Sequence, residues 1–167
     1  GLLLVDHAQD RRSYSNAFGM LERVLRQDPE RSNVRRRLVN LALTIGRDTD
    51  AKEHLEDFLL KQSPDDPELL ELLGRCQVQT GDDALAAETF KKAIQYAPTQ
   101  VEAYVHLAGV LYRLSRPKEA DQWMEKLVKA NPQSFKAHFL RGGYLLSISA
   151  TARTEAPKES LAEEALK

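Results

Sequence analysis

Two prolines that lie 34 residues apart, Pro98 and Pro132, close segments whose apolar residues match position by position. At equal offsets the first segment carries Leu70, Leu73, Gly74, Ala86, Phe90 and Ala93, and the second carries Tyr104, Leu107, Ala108, Ala120, Met124 and Leu127. A fixed period of this size indicates stacked repeats, each of which buries its apolar face against its neighbours. Because such a solenoid offers an extended concave surface rather than one central pocket, the first functional expectation is that it holds another chain.

The composition agrees with a helical domain and excludes several other classes. Hydrophobic residues make up 42% of the 167 residues, too many for a disordered chain, and eight glycines and seven prolines are few for an all-β domain. The 24 basic and 25 acidic residues nearly cancel, so no global charge attracts nucleic acid or anionic lipid. The single cysteine, Cys76, cannot form an internal disulfide, and both a cytoplasmic and a periplasmic location stay open.

Within each clear repeat, apolar residues recur at steps of three and four, which place them on one stripe of a helix. In the most regular repeat, Thr80-Gly81-Asp82 separates two such helices. We expect Gly81 to take a positive φ after the first helix and Asp82 to cap the second. In the next repeat, Pro117 is predicted to lie in the first turn of a helix, where its missing N–H is not needed.

The period extends towards both ends with small slips. Upstream, Ala51, Leu55 and Phe58 repeat the spacing, but Pro64 comes one residue late, and Ala17, Leu21, Val24 and Pro29 match once more. Downstream, residues 135–149 read as a first helix, and a second one is predicted from Pro157, which follows Pro117 by 40 residues instead of 34, to Lys167. We therefore predict complete helix pairs at about 32–66, 67–100 and 101–134, between a truncated unit at 1–31 and an irregular one at 135–167.

This pattern resembles the tetratricopeptide repeat, a family of helix–turn–helix units of 34 residues. The resemblance covers essentially the whole chain and is strongest from Pro67 to Pro132, where Leu73-Gly74, Ala86 and Phe90 hold signature positions. It is weaker in the preceding unit, where Arg35 stands at a position that is usually aromatic or leucine. The resemblance implies an all-α fold, a right-handed superhelical solenoid of antiparallel helix pairs, and a non-enzymatic role in protein–protein interaction.

The search for chemistry finds no motif for catalysis or for a cofactor. The four histidines, His7, His54, His106 and His138, form no metal-binding spacing with one another or with Cys76, which we interpret as a packing residue. The sequence contains no G-x-S-x-G, Walker or G-x-G-x-x-G element. The only longer basic run, at 35–37, has acidic neighbours and is typical of a solvated helix face rather than of a nucleic-acid site. We predict no enzyme, no metal, no cofactor and no nucleic-acid partner.

The resemblance also implies which residues line the concave groove. In the family these are the second, fifth, ninth, twelfth and thirteenth residues of each first helix, which here include Arg36, Asn40, Glu71, Arg75, Val105, Gly109, Tyr112, Arg113, Phe139 and Gly143. The set is polar at the amino end and apolar, with two glycines, at the carboxyl end. A glycine inside a helix costs about 1 kcal/mol relative to alanine. Either a ligand or close helix packing would explain Gly109 and Gly143, and both explanations stay open.

Two further expectations concern the polar end of this groove. Glu71 and Arg75 are spaced to pair along one helix. Some family members bind the terminal carboxylate of a chaperone tail, and Arg36 and Asn40 loosely match the first part of that site. The later positions hold Leu72, Glu102 and His106, which do not fit it. We therefore predict a peptide or helical segment as the ligand, and not a chaperone tail.

An architectural role is the alternative interpretation. The repeats would then space or oligomerise other domains and self-associate through the ends of the solenoid, where apolar surface such as Leu2–Val5 meets neighbouring units. That segment is too short to span a bilayer, and no direct membrane contact is expected. We expect the sequence to be an excerpt of a longer chain, which also leaves open a regulatory module of an enzyme and an upstream signal or anchor.

Overall fold

The computed structural model describes residues 11–148, which form eight helices and no strand. The predicted apolar edge at Leu2–Val5 and the predicted helix from Pro157 lie outside these residues. The helices are α1 (Arg11–Gln27), α2 (Ser32–Ile45), α3 (Asp48–His54, continued by a π-helical segment at Leu55–Leu59 and a last turn at Leu60–Gln62), α4 (Pro67–Gln79), α5 (Asp83–Tyr96), α6 (Val101–Arg113), α7 (Pro117–Ala130) and α8 (135–148).

The helices alternate between two layers, as a solenoid of helix pairs requires. From α1 to α7 each helix packs on the next, and α4 also contacts α6 in the following repeat. We call α2, α4, α6 and α8 the first helices and α1, α3, α5 and α7 the second helices. The predicted all-α repeat architecture is confirmed, with α2–α3, α4–α5 and α6–α7 as the helix pairs within the described residues.

The turn inside each pair has the same backbone geometry. One or two residues after the end of the first helix, a residue takes a positive φ: Gly46 (76°), Gly81 (85°) and Ser115 (58°). The next backbone N–H, that of Arg47, Asp82 or Arg116, donates to a carbonyl five residues back at 2.8 Å, which closes the helix end. The prediction for Gly81 is confirmed, as is that of Pro117 at the start of α7. At Ser115 the turn is built without glycine.

The prediction that Asp82 caps α5 is wrong. Its side chain makes no capping hydrogen bond, because its Oδ2 instead accepts one from the Thr80 hydroxyl at 3.1 Å and lies 3.6 Å from Lys52 Nζ. Asp66 caps α4 instead, since its Oδ1 accepts from the backbone N–H groups of Glu68 and Leu69 at 3.0 and 3.1 Å. A carboxylate before a helix caps it only when no nearer partner turns the side chain away.

The buried side chains form two adjoining cores. We call the one between Ala17 and Cys76 the amino-terminal core and the one between Leu70 and Ala137 the carboxyl-terminal core. At Gly74 of α4, an added Cβ would lie 2.5 Å from the ring of Phe90, which belongs to the carboxyl-terminal core. Glycine is therefore required here by helix packing, because interiors have no spare space for a methyl group.

The extra residue of the 32–66 unit lies in the middle of α3. A π-helical turn holds one residue more than an α-helical turn, and Leu55–Leu59 adopts this form. The stripe of buried residues consequently shifts by one: Leu59 is 2% exposed, whereas Phe58 is 37% exposed. The prediction that Phe58 continues the buried stripe after Ala51 and Leu55 is therefore wrong, and Leu59 takes that place.

Candidate functional site

At the amino end, the predicted groove residues are bound to the protein itself. Arg36 Nη2 donates to Asp66 Oδ2 at 2.5 Å, and Nη1 lies 3.9 Å from Glu68. Burial alone would raise the pKa of Asp66, but Arg36 and two backbone amides together hold it below its usual value. The Asn40 amide donates to the Arg36 carbonyl at 3.1 Å. Arg36 is half-buried, and these two carboxylates already pair its charge within the protein.

In the middle of the groove, one polar contact between side chains joins two repeats. The buried Glu71 carboxylate lies 3.1 Å from His106 Nε2 of α6, and 3.9 Å from Arg75 Nε on its own helix. The expected Glu71–Arg75 pair is thus present but loose, and the histidine of the next repeat is the nearer partner. The His106 ring also stacks on Phe90 with centroids 5.5 Å apart. Sequence spacing did not indicate this contact, because it joins residues of different helices.

Towards the carboxyl end, the two predicted groove glycines are exposed. A Cβ added to Gly109 or Gly143 would meet no atom within 4 Å, in contrast to Gly74. Close packing among the described residues therefore does not explain either glycine.

Gly109 lies in a cleft of about 300 Å³ between α6 and α8. The cleft is lined by Ala108, Gly109, Tyr112, Arg113, Tyr144, Ser147 and Ile148. Of the predicted groove residues, it brings together Gly109, Tyr112 and Arg113. Val105, which is half-buried, Gly143 and Phe139 do not line it.

The polar walls of this cleft are fixed by hydrogen bonds to the second helices. Arg113 donates two bonds to Asp83, at 2.7 and 2.9 Å, and this guanidinium holds the pKa of Asp83 below its usual value. The Tyr144 hydroxyl donates to Asp121 at 2.8 Å, and burial together with that carboxylate raises the pKa of Tyr144. Neither bond was predicted. Both hold a wall residue in place beside the partly exposed Tyr112 ring.

The α8 helix presents an apolar stripe of its own. Phe139, a predicted groove residue, is 67% exposed, and its ring stacks on that of Phe135, which is 82% exposed, with centroids 6.0 Å apart. Leu146 continues the exposed stripe along the helix. The sequence placed Phe139 at a groove position but gave no signal for Phe135, which stands at a position that is buried in α6 as Val101.

The next features concern a reactive thiol, a metal site and a membrane-spanning helix. Cys76 is fully buried, and burial raises the pKa of its thiol to about 12, so it is not a nucleophile at neutral pH. Across residues 11–148, no three histidine, cysteine or acidic side chains come together in a way that could hold a metal ion. In the same range, no helix combines the length and the apolar character that crossing a membrane requires.

Two models of the tetratricopeptide repeat match the sequence, one at residues 36–101 and one at residues 84–141. Together they cover more than half of the chain. The chain belongs to the tetratricopeptide-repeat family. Proteins with these repeats are in general scaffolds for protein–protein interaction and are generally non-catalytic. No curated protein sequence matches this one significantly.

Similar solved structures share the solenoid fold. A structure of MamA superposes with a TM-score of 0.69 at 22% identity, covering 93% of this chain and 83% of that one. A thermophilic tetratricopeptide-repeat protein of Thermus thermophilus gives 0.64 at 17% identity, covering 81% and 75%. One from Parabacteroides merdae gives 0.65 at 18%, covering 81% and 56%. At these identities the likeness concerns the fold alone.

Proposed function

We propose that this chain is a non-enzymatic scaffold that binds a peptide or helical segment across the first helices, with its apolar contact over Gly109 and Tyr112. The observation that carries the proposal is the bare surface at Gly109. A helix interior keeps this glycine although alanine would stabilise the helix by about 1 kcal/mol and although no atom lies within 4 Å of the added Cβ. A bound segment that needs the space accounts for both facts.

The surroundings of Gly109 support a ligand with two kinds of contact. Tyr112 offers a partly exposed ring at the cleft, and aromatic rings contribute strongly to interfaces. Along the groove towards the amino end, Arg75 is half-buried, and its Nε lies 3.9 Å from the Glu71 carboxylate, too far for a hydrogen bond. We propose that an apolar side chain of the ligand lies over Gly109 and that a polar or acidic part extends towards Arg75.

The test uses two variants that change the cleft in opposite ways. Once a partner has been captured with the wild-type chain and purified, its affinity is measured by calorimetry for Tyr112→Ala and for Gly109→Leu. Each variant should weaken binding by about tenfold or more, because the first removes a central aromatic contact and the second fills the space. Gly19→Leu is the matched control, since a Cβ at that glycine of α1 also meets no atom within 4 Å.

Unchanged affinity in both cleft variants would place the ligand elsewhere. An equal loss in Gly19→Leu would show that glycine replacement acts through the helix rather than through the cleft. Thermal unfolding of each variant separates a folding defect from a binding defect.

A second candidate function is self-association, and the exposed stripe of Phe135, Phe139 and Leu146 favours it. Contiguous exposed apolar side chains mark interaction surfaces. If the stripe joins two copies, light scattering should show a concentration-dependent dimer that Phe135→Ser with Phe139→Ser abolishes. If the chain stays monomeric at high concentration and still binds its partner, self-association is contradicted and ligand binding is supported.

A further inference from the structure

A larger cleft lies on the layer of second helices, away from the groove described above. It has a volume of about 810 Å³, lies between α5 and α7, and is lined by Glu88, Lys91, Lys92, Ile94, Gln95, Pro98, Tyr104, Trp123, Lys126, Lys129 and Ala130. Trp123, the only tryptophan of the chain, is half-buried there, with its ring centroid 6.2 Å from that of Tyr104. Its floor is therefore aromatic and apolar.

The rim of this cleft is positively charged. Lys91 is neutralised, because its Nζ lies 2.9 Å from Glu88 and 3.1 Å from Glu119. Lys126 Nζ lies over the Trp123 ring, 3.9 Å from its centroid. Among the described residues, Lys92, Lys126 and Lys129 make no ion pair, although the chain as a whole carries a formal charge of −1. Three cations thus remain around one aromatic floor.

The repeat itself does not require these lysines. The equivalent cleft between α1 and α3, of about 460 Å³, is lined by Glu22, Leu25, Arg26, Pro29, Arg35, His54 and Phe58. There Glu22 takes the repeat position of Lys91, and Arg35 is bonded to Pro29 and His54 within the protein. The first cleft is lined by Arg26 and Arg35 but by no lysine and no tryptophan, so three lysines around a tryptophan are not required by the repeat.

We infer that the α5–α7 cleft is a second binding site, which takes an acidic protein segment with an apolar side chain. The apolar side chain would lie on Trp123, and carboxylates beside it would meet Lys92, Lys126 and Lys129. A carboxylate gains most from a lysine that no acidic neighbour already pairs. A nucleic acid fits less well, because three lysines neutralise few phosphates and Glu88 lines the same cleft.

The single tryptophan makes occupancy directly measurable. The probe is a short synthetic peptide with one phenylalanine flanked on both sides by glutamates, titrated while the emission of Trp123 is recorded. We expect a saturable change of emission, and a Kd about tenfold higher in the double variant Lys92→Glu with Lys126→Glu, because like charges then face the peptide. The matched control is Lys61→Glu with Lys118→Glu, which reverses the same charge at two exposed lysines outside the cleft.

Each other outcome overturns the inference. Equal binding of a peptide with lysines in place of the glutamates would remove the charge argument. An equal rise of the Kd in the Lys61/Lys118 control would show that only the net charge of the chain matters, and not the lysines of the cleft. Tighter binding of a single-stranded oligonucleotide at the same salt concentration would make the cleft a nucleic-acid site. No change of emission at any peptide concentration would leave the cleft empty. Gly109→Leu should not affect this titration, so this site and the groove can fail independently.

Discussion

In the carboxyl-terminal core, the fourth residue of the first helix is Tyr104, whose hydroxyl donates to the carbonyl of Pro98 at 3.0 Å. In the amino-terminal core the same position holds Arg35, whose Nη2 donates to the carbonyl of Pro29 at 2.7 Å. In α8 the position holds His138, with Nε2 3.0 Å from the carbonyl of Pro132. What these three repeats share is a polar ring or guanidinium bonded to the turn that precedes the helix, rather than one residue type.

The two cores differ in the residue that donates this hydrogen bond and in the charge of that residue. Tyr104 brings an aromatic ring into an apolar cluster. Arg35 is a buried cation, and its guanidinium stacks 3.6 Å from the centroid of Phe58 and lies 2.9 Å from His54 Nδ1. Because of the π-helical segment, Phe58 points away from the core, and in this orientation its ring stacks with the Arg35 guanidinium. The irregular unit is therefore a consistent alternative packing, and its stability rests on a charged group.

The largest expected difference between the cores is at this position. Arg35→Met removes the charged donor of two hydrogen bonds, to the Pro29 carbonyl and to His54 Nδ1, so we expect a loss of about 3 kcal/mol in the free energy of unfolding. Tyr104→Phe removes one neutral hydrogen bond and should lose about 1 kcal/mol. Urea unfolding of both variants measures the difference. An Arg35→Met chain as stable as Tyr104→Phe would contradict the view that the amino-terminal core depends on the cation.

A smaller effect, of opposite sign at two glycines, is expected at Gly74 in α4 and Gly109 in α6. Gly74→Ala places a methyl group against the Phe90 ring and should destabilise the chain by about 1–3 kcal/mol. Gly109→Ala meets no atom within 4 Å and should stabilise it by up to about 1 kcal/mol. Thermal unfolding of the two variants gives the signs. If both variants are destabilised, the surface at Gly109 is occupied by the protein itself.

The smallest effect concerns pH and a histidine that packs beside the amino-terminal core. Burial and, secondly, the Arg35 guanidinium lower the pKa of His54. Below the ordinary histidine pKa of about 6.5, the unfolded chain therefore binds a proton that the folded chain does not. Stability should fall as the pH drops through that value and level off below the folded pKa. The wild-type chain should lose more stability between neutral and mildly acidic pH than His54→Gln in urea titrations, whereas parallel losses would contradict the contribution of His54.

The repeat pattern was predictable because it depends on spacing along one helix at a time. Gly81, Pro117 and the buried stripe from Ala86 to Ala93 follow from local geometry and from the period, and the structure agrees with them. The groove positions were predictable only as positions. Whether Gly109 meets a neighbour and whether Arg36 is already paired depend on side chains of other helices, which the period does not determine.

The sequence by itself determined that this chain is a solenoid of helix pairs. Steps of three and four place the apolar residues on one side of each helix, and the 34-residue period lets each repeat bury that side against its neighbours. Only the tertiary structure decided which side chains meet across repeats. In the folded chain Arg113 donates to Asp83, and Leu59 rather than Phe58 is buried in α3. The lysines of α5 and α7 lie together around Trp123. The reason is physical: a period sets the direction of each side chain on its own helix, whereas contacts between helices depend on how all of them pack together.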